Sequence, residues 1–304
     1  MDVLFVKIIA VILVFAAGYL LKLCKILEKS DGGLLLKLIF YAAVPSIVLL
    51  SVSKVKLSLD FIYFPIILFL IIALTYLASF FCAKLFGFAR SSFGVFLVAC
   101  VIMNTGFLLP FIAALNNSRA TALWAIFDAA NILFVFTFAY YLACKYGKNN
   151  AKFEFILKKF LFSPPLWAMA IGIIFSVFEV SLPSIAQETL SLLGGLAGPL
   201  LMLALGIYFE PKFKNMLPIF CAICIRMVLG FFLGVFFVRL FGICGLNKSI
   251  IILSAAAPVG YNTLTFSSLE NLDTEFAANL VSFSMLIGLI TTSFLMFWLN
   301  INIS

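Results

Sequence analysis

Apolar residues run in stretches of about 20, the length a helix needs to cross the hydrocarbon core of a bilayer, and short polar punctuation separates each stretch from the next. Ten such segments can be drawn, at approximately 3–22, 34–53, 61–83, 92–115, 120–144, 164–180, 189–208, 215–240, 249–269 and 276–299. The longest polar stretch, Lys145 to Lys159, falls between the fifth and the sixth. The chain therefore divides into a first set of five spans (1–144), a linker (145–163) and a second set of five (164–304), with no stretch large enough for a soluble domain.

Two of the ten segments carry residues that do not suit lipid. Met103-Asn104-Thr105-Gly106-Phe107-Leu108-Leu109-Pro110 sets an amide, a hydroxyl, a glycine and a proline inside the fourth, and Pro258-Val259-Gly260-Tyr261-Asn262-Thr263 does the same in the ninth. In hydrocarbon every backbone N–H and C=O needs an internal partner, so an interrupted helix is tolerated only where protein or a wet cavity surrounds the break. Each proline alone reads as an ordinary kink, since proline is common in membrane helices. Two such stretches in corresponding spans read as two broken helices that cross.

Composition agrees with a polytopic membrane protein. Of 304 residues 65% are hydrophobic and 11% charged, with a mean hydropathy of +1.25, whereas soluble domains carry roughly 25% charged residues. The 37 phenylalanines fit lipid-facing and packing positions, and the absence of histidine removes the usual pH switch and the commonest metal ligand. No cofactor or metal is called for. The seven cysteines lie in or at the ends of apolar runs, and Cys221-Ala222-Ile223-Cys224 has no partner pair, so all read as small buried hydrophobes. The apolar run after Lys7 lacks a clear small-residue cleavage site and reads as a retained first span rather than a signal peptide.

The net charge of +8 is spread over loops and suggests topology rather than nucleic acid. Thirteen basic residues (Lys22, Lys25, Lys29, Lys37, Lys84, Arg90, Lys145, Lys148, Lys152, Lys158, Lys159, Lys212 and Lys214) fall on one side, and five (Lys54, Lys56, Arg119, Arg239 and Lys248) on the other. The positive-inside rule then places both termini outside and the 145–163 linker in the cytoplasm.

An odd number of spans per half forces the halves into opposite orientations, the geometry of an inverted-repeat transporter. Ala43-Val44-Pro45-Ser46 in span 2 answers to Ala197-Gly198-Pro199-Leu200 in span 7. Two broken helices crossing at mid-membrane form a binding site with little side-chain help, because half-helix starts present free N–H groups and half-helix ends present free carbonyls. Asn104, Thr105, Asn262 and Thr263 add donors and acceptors that suit a carboxylate. Intramembrane charge is rare and is usually functional or paired. Asp128, with Asn131 one turn on, directs a polar strip into the bundle; Arg226 lies mid-span, and an Asp128–Arg226 ion pair or separate neutralisation by neighbours both remain open. Glu270 is expected to be a solvated carboxylate at the end of span 9.

Asn104-Thr105-Gly106-Phe107-Leu108-Leu109-Pro110, Val44-Pro45-Ser46, Ser163-Pro164-Pro165, the run from Ala197 to Gly206, and Ala257-Pro258 together resemble the auxin efflux carrier family in its bacterial form. The resemblance implies an all-α fold similar to the bile acid sodium symporters, with ten helices in two inverted five-helix repeats. It also implies a scaffold of spans 1, 2, 6 and 7, a moving transport domain of spans 3–5 and 8–10, and dimerisation through the scaffold. By residue, it puts Asn104 and Pro110 at the first crossover, Pro258 and Asn262 at the second, and Asp128 with Asn131 in support behind them. The plant members' long central loop is absent. The expected activity is secondary transport of a small organic anion, such as malate, malonate or an auxin-like acid, in the cell membrane, with Asp128 and Glu270 as candidates for proton coupling and sodium as the other candidate ion. An enzyme is disfavoured, since no His-Glu-x-x-His, Gly-x-Ser-x-Gly or paired intramembrane Asp motif is present; a channel is the remaining alternative.

Overall fold

The computed structural model describes residues 3–54, 62–147, 162, 164–211 and 216–299. Most of the 145–163 linker lies outside the described residues, as do Lys56, Ser163, Lys212 and Lys214. Among the described residues the chain is helical, and seven helices are long and apolar enough to span a membrane. The passes are α1 (Val3–Leu23), α2 (Ser30–Val52), α3 (Tyr63–Leu85), a fourth pass split into α4 (Arg90–Val101) and α5 (Thr105–Ala113), α6 (Ser118–Tyr146), α7 (Pro164–Val177), α8 (Ser184–Tyr208), α9 (Met216–Leu240), a ninth pass split into α10 (Gly245–Ala255) and α11 (Asn262–Leu269), and α12 (Thr274–Trp298). All ten expected segments are present, and the two that carry polar interruptions are the two that break. The resulting structure is a polytopic all-helical membrane protein.

Local chemistry sets several helix starts. Asn117 accepts from the Ala120 amide to cap α6, and Asp273 accepts from the Phe276 amide to cap α12 while also taking the Ser92 hydroxyl at 2.8 Å. Three wide, π-type turns interrupt long passes: Ile39–Ala43 just before Pro45, Val135–Ala139 in α6, and Cys224–Leu229 in α9. At the first of these, Pro45 lacks an amide, so the turn ahead of it cannot close in the usual way.

Packing separates two groups of helices. In one, α1 packs on α8, α2 on α7, and α2 on α8; in the other, α3 packs on α4, α6 and α9, while α10 packs on α9 and α6, and α12 on α4. The pairs recur when each pass is exchanged for the one five passes later: α1 with α8 answers to α7 with α2, and α4 with α12 to α10 with α6. The groups touch where α2 meets α6 and where α8 meets α5. Large apolar side chains such as Leu13, Leu20, Phe69, Phe81, Phe232 and Phe294 remain exposed. Such a surface is suited to lipid.

The α1–α8 contact is the closest. A Cβ on Gly206 would overlap the Phe15 carbonyl, and one on Gly18 would overlap the Leu203 carbonyl, so the two backbones touch. Helices in lipid gain little from hydrophobic burial and associate through such small-residue contacts. Beside this contact Phe209 stacks edge-on against Phe15 and Tyr19, with ring centroids 5.6 and 5.3 Å away. Gly206→Val is expected to force α1 from α8 and to destabilise the protein by about 1–3 kcal/mol or more, measured as a fall in the unfolding temperature in detergent. An unchanged transition would refute backbone contact there.

Candidate functional site at the helix crossover

The two breaks meet. Met103 and Val259 form an antiparallel bridge, the Asn104 amide donates to the Pro258 carbonyl at 2.9 Å, and the Gly260 amide donates to the Ile102 carbonyl at 3.1 Å. Two backbones interrupted in mid-membrane thereby satisfy each other, which is what a low-dielectric surrounding demands. Antiparallel pairing also shows that the fourth and ninth passes run in opposite directions at this point. Asn104 reinforces the junction from both sides: its side-chain oxygen accepts from the Phe107 amide at 3.2 Å, capping α5, and its amide nitrogen reaches the Val259 carbonyl at 3.4 Å.

Around the first break α6 supplies a polar strip. Thr105 donates its hydroxyl to the Asp128 carboxylate; Asn131 donates to Thr105 Oγ1 at 2.9 Å and to the Met103 carbonyl at 3.1 Å; and the Trp124 indole donates to the Thr105 carbonyl at 2.9 Å. Trp124, Asp128 and Asn131 share one helix face by their spacing of four and three. Thr105 and Asn131 are buried, whereas Asp128 is half-buried and borders a small gap shared with Val44 and Val48 of α2 and Pro165 and Met169 of α7.

Around the second break the Val259 amide donates to Ser284 Oγ of α12 at 3.2 Å. Asn262 opens α11 half-buried, and Thr263 is buried with a hydroxyl that finds no partner among the described residues. Tyr261 packs against Tyr208 at the end of α8, ring centroids 4.9 Å apart, which brings an aromatic pair across the two helix groups.

Arg226 lies in the wide turn of α9 and is fully buried, yet it does not meet Asp128. Its guanidinium donates to the Ala255 carbonyl at 2.5 Å and to the Cys100 carbonyl at 3.4 Å. Asp128 instead takes the Thr105 hydroxyl, so the ion pair is absent. Both carbonyls belong to last turns, of α4 and α10. In a continuous helix they would be met by the amides of Asn104 and Val259, and both amides are diverted, to Pro258 and to Ser284.

Two further expectations change. Glu270 is 2% exposed rather than solvated, and its carboxylate accepts from the Tyr140 hydroxyl at 2.6 Å, because α6 folds over the end of α11. Pro110 does not make the first break, which the capping Asn104 does; it lies within α5 and packs on Gly198 of α8. There it helps to line an apolar cavity of about 220 Å³ with Ala10, Val11, Val14 and Met202, where helices of the two groups meet. A larger cavity of about 350 Å³ lies at the ends of α2 and α7, around Ser53, Lys54, Glu179 and Gln187, and includes no crossover residue.

The comparisons agree with this architecture. A family model described as membrane transport protein matches residues 3–296. An uncharacterised transporter of Methanothermobacter thermautotrophicus is 24% identical over 290 residues, covering 93% of this chain and 94% of its own length. An uncharacterised transporter of Methanocaldococcus jannaschii is 26% identical over 305 residues, covering 94% and 96%. With one family model spanning nearly all of its ten passes, the chain belongs to the membrane transport protein family, the auxin efflux carrier group that its crossover motifs resemble.

Proposed function

We propose that the protein is a secondary transporter of a small organic anion, moved by displacement of the helix group containing the crossover past the group built on α1, α2, α7 and α8. The observation that carries this reading is the paired crossover itself. It brings the starts of α5 and α11 to one place, and helix N-termini bind anions through free amides and a positive dipole end. Asn262 and Thr263 add polar groups at the second start, and an apolar cavity beside Pro110 borders the contact between the two helix groups near the first. Helix groups that meet over few elements can slide as rigid bodies.

The division into repeats at 1–144 and 164–304 belongs to this reading, as does a homodimer joined through α1, α2, α7 and α8. So does the orientation in the cell membrane, with both termini outside. Cys24 and Cys244 are both exposed and fall on opposite sides in that arrangement. A membrane-impermeant maleimide should therefore label Cys244 in intact cells and Cys24 only after the cells are opened; the reverse pattern would invert the topology.

Coupling is assigned to Asp128. Its carboxylate lies against the start of α5 through Thr105, where a negative charge competes with an anionic cargo for the same dipole end. Protonation at low external pH would free that end for the cargo. Asp128→Asn should then abolish accumulation driven by a pH gradient while retaining exchange of labelled for unlabelled substrate in proteoliposomes; unchanged pH dependence would remove Asp128 from the coupling step and leave sodium as the driving ion.

Asn104→Ala removes the cap of α5 and a link between the breaks, and Asn262→Ala alters the start of α11. Each is expected to lower transport at least tenfold, roughly the effect of losing one buried hydrogen-bonding partner at about 1.4 kcal/mol per decade, with the amount of membrane-inserted protein unchanged. Normal flux in both variants would sink the site.

A further inference from the structure

Four half-helix ends converge at the crossover, and their dipoles nearly cancel. The starts of α5 and α11 each present roughly half a positive charge, and the ends of α4 and α10 each present roughly half a negative charge. Left to the backbone alone, such a junction would serve a cation about as well as an anion, as the same device does elsewhere when unwound carbonyls face the site. The side chains around the ends decide the sign.

Arg226 is fully buried at 0% exposure, and its guanidinium bonds both negative ends, at the Ala255 and Cys100 carbonyls. Among the described residues no carboxylate is ion-paired with it; Asp128 is engaged with Thr105, Glu270 with Tyr140, and Glu210 with Lys22 at 3.0 Å. The site is built to hold a guanidinium. A wide turn spanning Cys224–Leu229 presents the side chain, and Gly230 leaves the space, since a Cβ there would stand 2.6 Å from the guanidinium nitrogen and would also overlap the Ala255 carbonyl. The Arg226 Nε has no partner of its own, so the charge is not dispersed over a larger polar network. One full positive charge thus opposes two ends that together carry about one negative charge, which leaves the start of α11 unopposed and that of α5 opposed only by Asp128 through Thr105.

We infer that Arg226 is the residue that sets the charge selectivity of the crossover, a positioning residue that makes the site accept anions by neutralising the carbonyl ends of both half-helices at once. The inference rests on the anion-transport reading and deepens it. It assigns selectivity to a side chain that need not touch the cargo, acting through the carbonyl ends of α4 and α10, in addition to holding the junction together.

The full-length protein in detergent, titrated by thermal unfolding with acid and amide pairs of one shape, malonate with malonamide and phenylacetate with phenylacetamide, tests this. A ligand that binds the native state raises the transition by mass action. In the wild type the acid of at least one pair should bind ten times or more tighter than its amide. Arg226→Lys keeps the charge and should keep that preference. Arg226→Gln keeps N–H donors without the charge, and should cut the preference to threefold or less while the amide binds as before. A Gln variant that retains the preference, or one in which acid and amide weaken in parallel, would overturn the inference in favour of a purely structural cap. If the Gln variant does not fold, loss of the acid preference in Arg226→Lys overturns it equally well. If the wild type binds and transports neither acid, the transport reading falls and takes this one with it; if it transports an acid while the Gln variant keeps its preference, only the inference about Arg226 falls.

Discussion

A backbone group without a partner costs several kcal/mol in hydrocarbon, and the centre of this molecule is an answer to that cost met twice over. Two passes break at the same level and each supplies what the other lacks: the Asn104 amide goes to Pro258, and the Gly260 amide to Ile102. The diversion creates a second debt at the carbonyls of Cys100 and Ala255, which one buried guanidinium meets. Remove the crossing and none of these residues has a reason to be where it is.

The rest of the fold is arranged around that junction. α6 braces it from one side with Trp124, Asp128 and Asn131, and α12 from the other with Ser284. The second helix group meets the first through Pro110 against Gly198, through Tyr208, which is packed on and hydrogen-bonded to Tyr261, and through the gap next to Asp128. The polar bonds that hold the breaks together thus lie mostly within one group, so that group can move as a unit while the crossover stays paired. Polar links between the groups lie away from the breaks: Lys7 of α1 donates to the Ala114 carbonyl just after α5 at 2.7 Å, and the Glu210 amide beyond α8 donates to Ser282 Oγ of α12 at 3.1 Å.

Misreadings of individual residues have a common origin. Glu270 looked solvated because it ends the ninth span, but burial at that point is decided by Tyr140, 130 residues away. Pro110 was expected at the first crossover, where a proline would interrupt the helix. Pro110 is the sixth residue of α5 and offers no amide to the Gly106 carbonyl, yet α5 runs on to Ala113. Arg226 was visible as an intramembrane charge, and the lack of any nearby acid was the one hint that it serves carbonyls.

What the sequence by itself determined is whatever is written in length and local pattern. Ten apolar runs of spanning length, two of them spoiled by Asn, Thr, Gly and Pro, and charges too sparse for a soluble domain are properties of neighbouring residues, and hydropathy reads them directly. The pairing of Met103 with Val259, the diversion of two amides, the choice of Arg226 for Cys100 and Ala255 over Asp128, and the burial of Glu270 were decided only by the tertiary structure. Such contacts join residues 29 to 156 positions apart, as in Ala255 with Arg226 and Met103 with Val259. No periodicity connects positions so distant, and several acceptors of equal chemistry compete until the helices are packed.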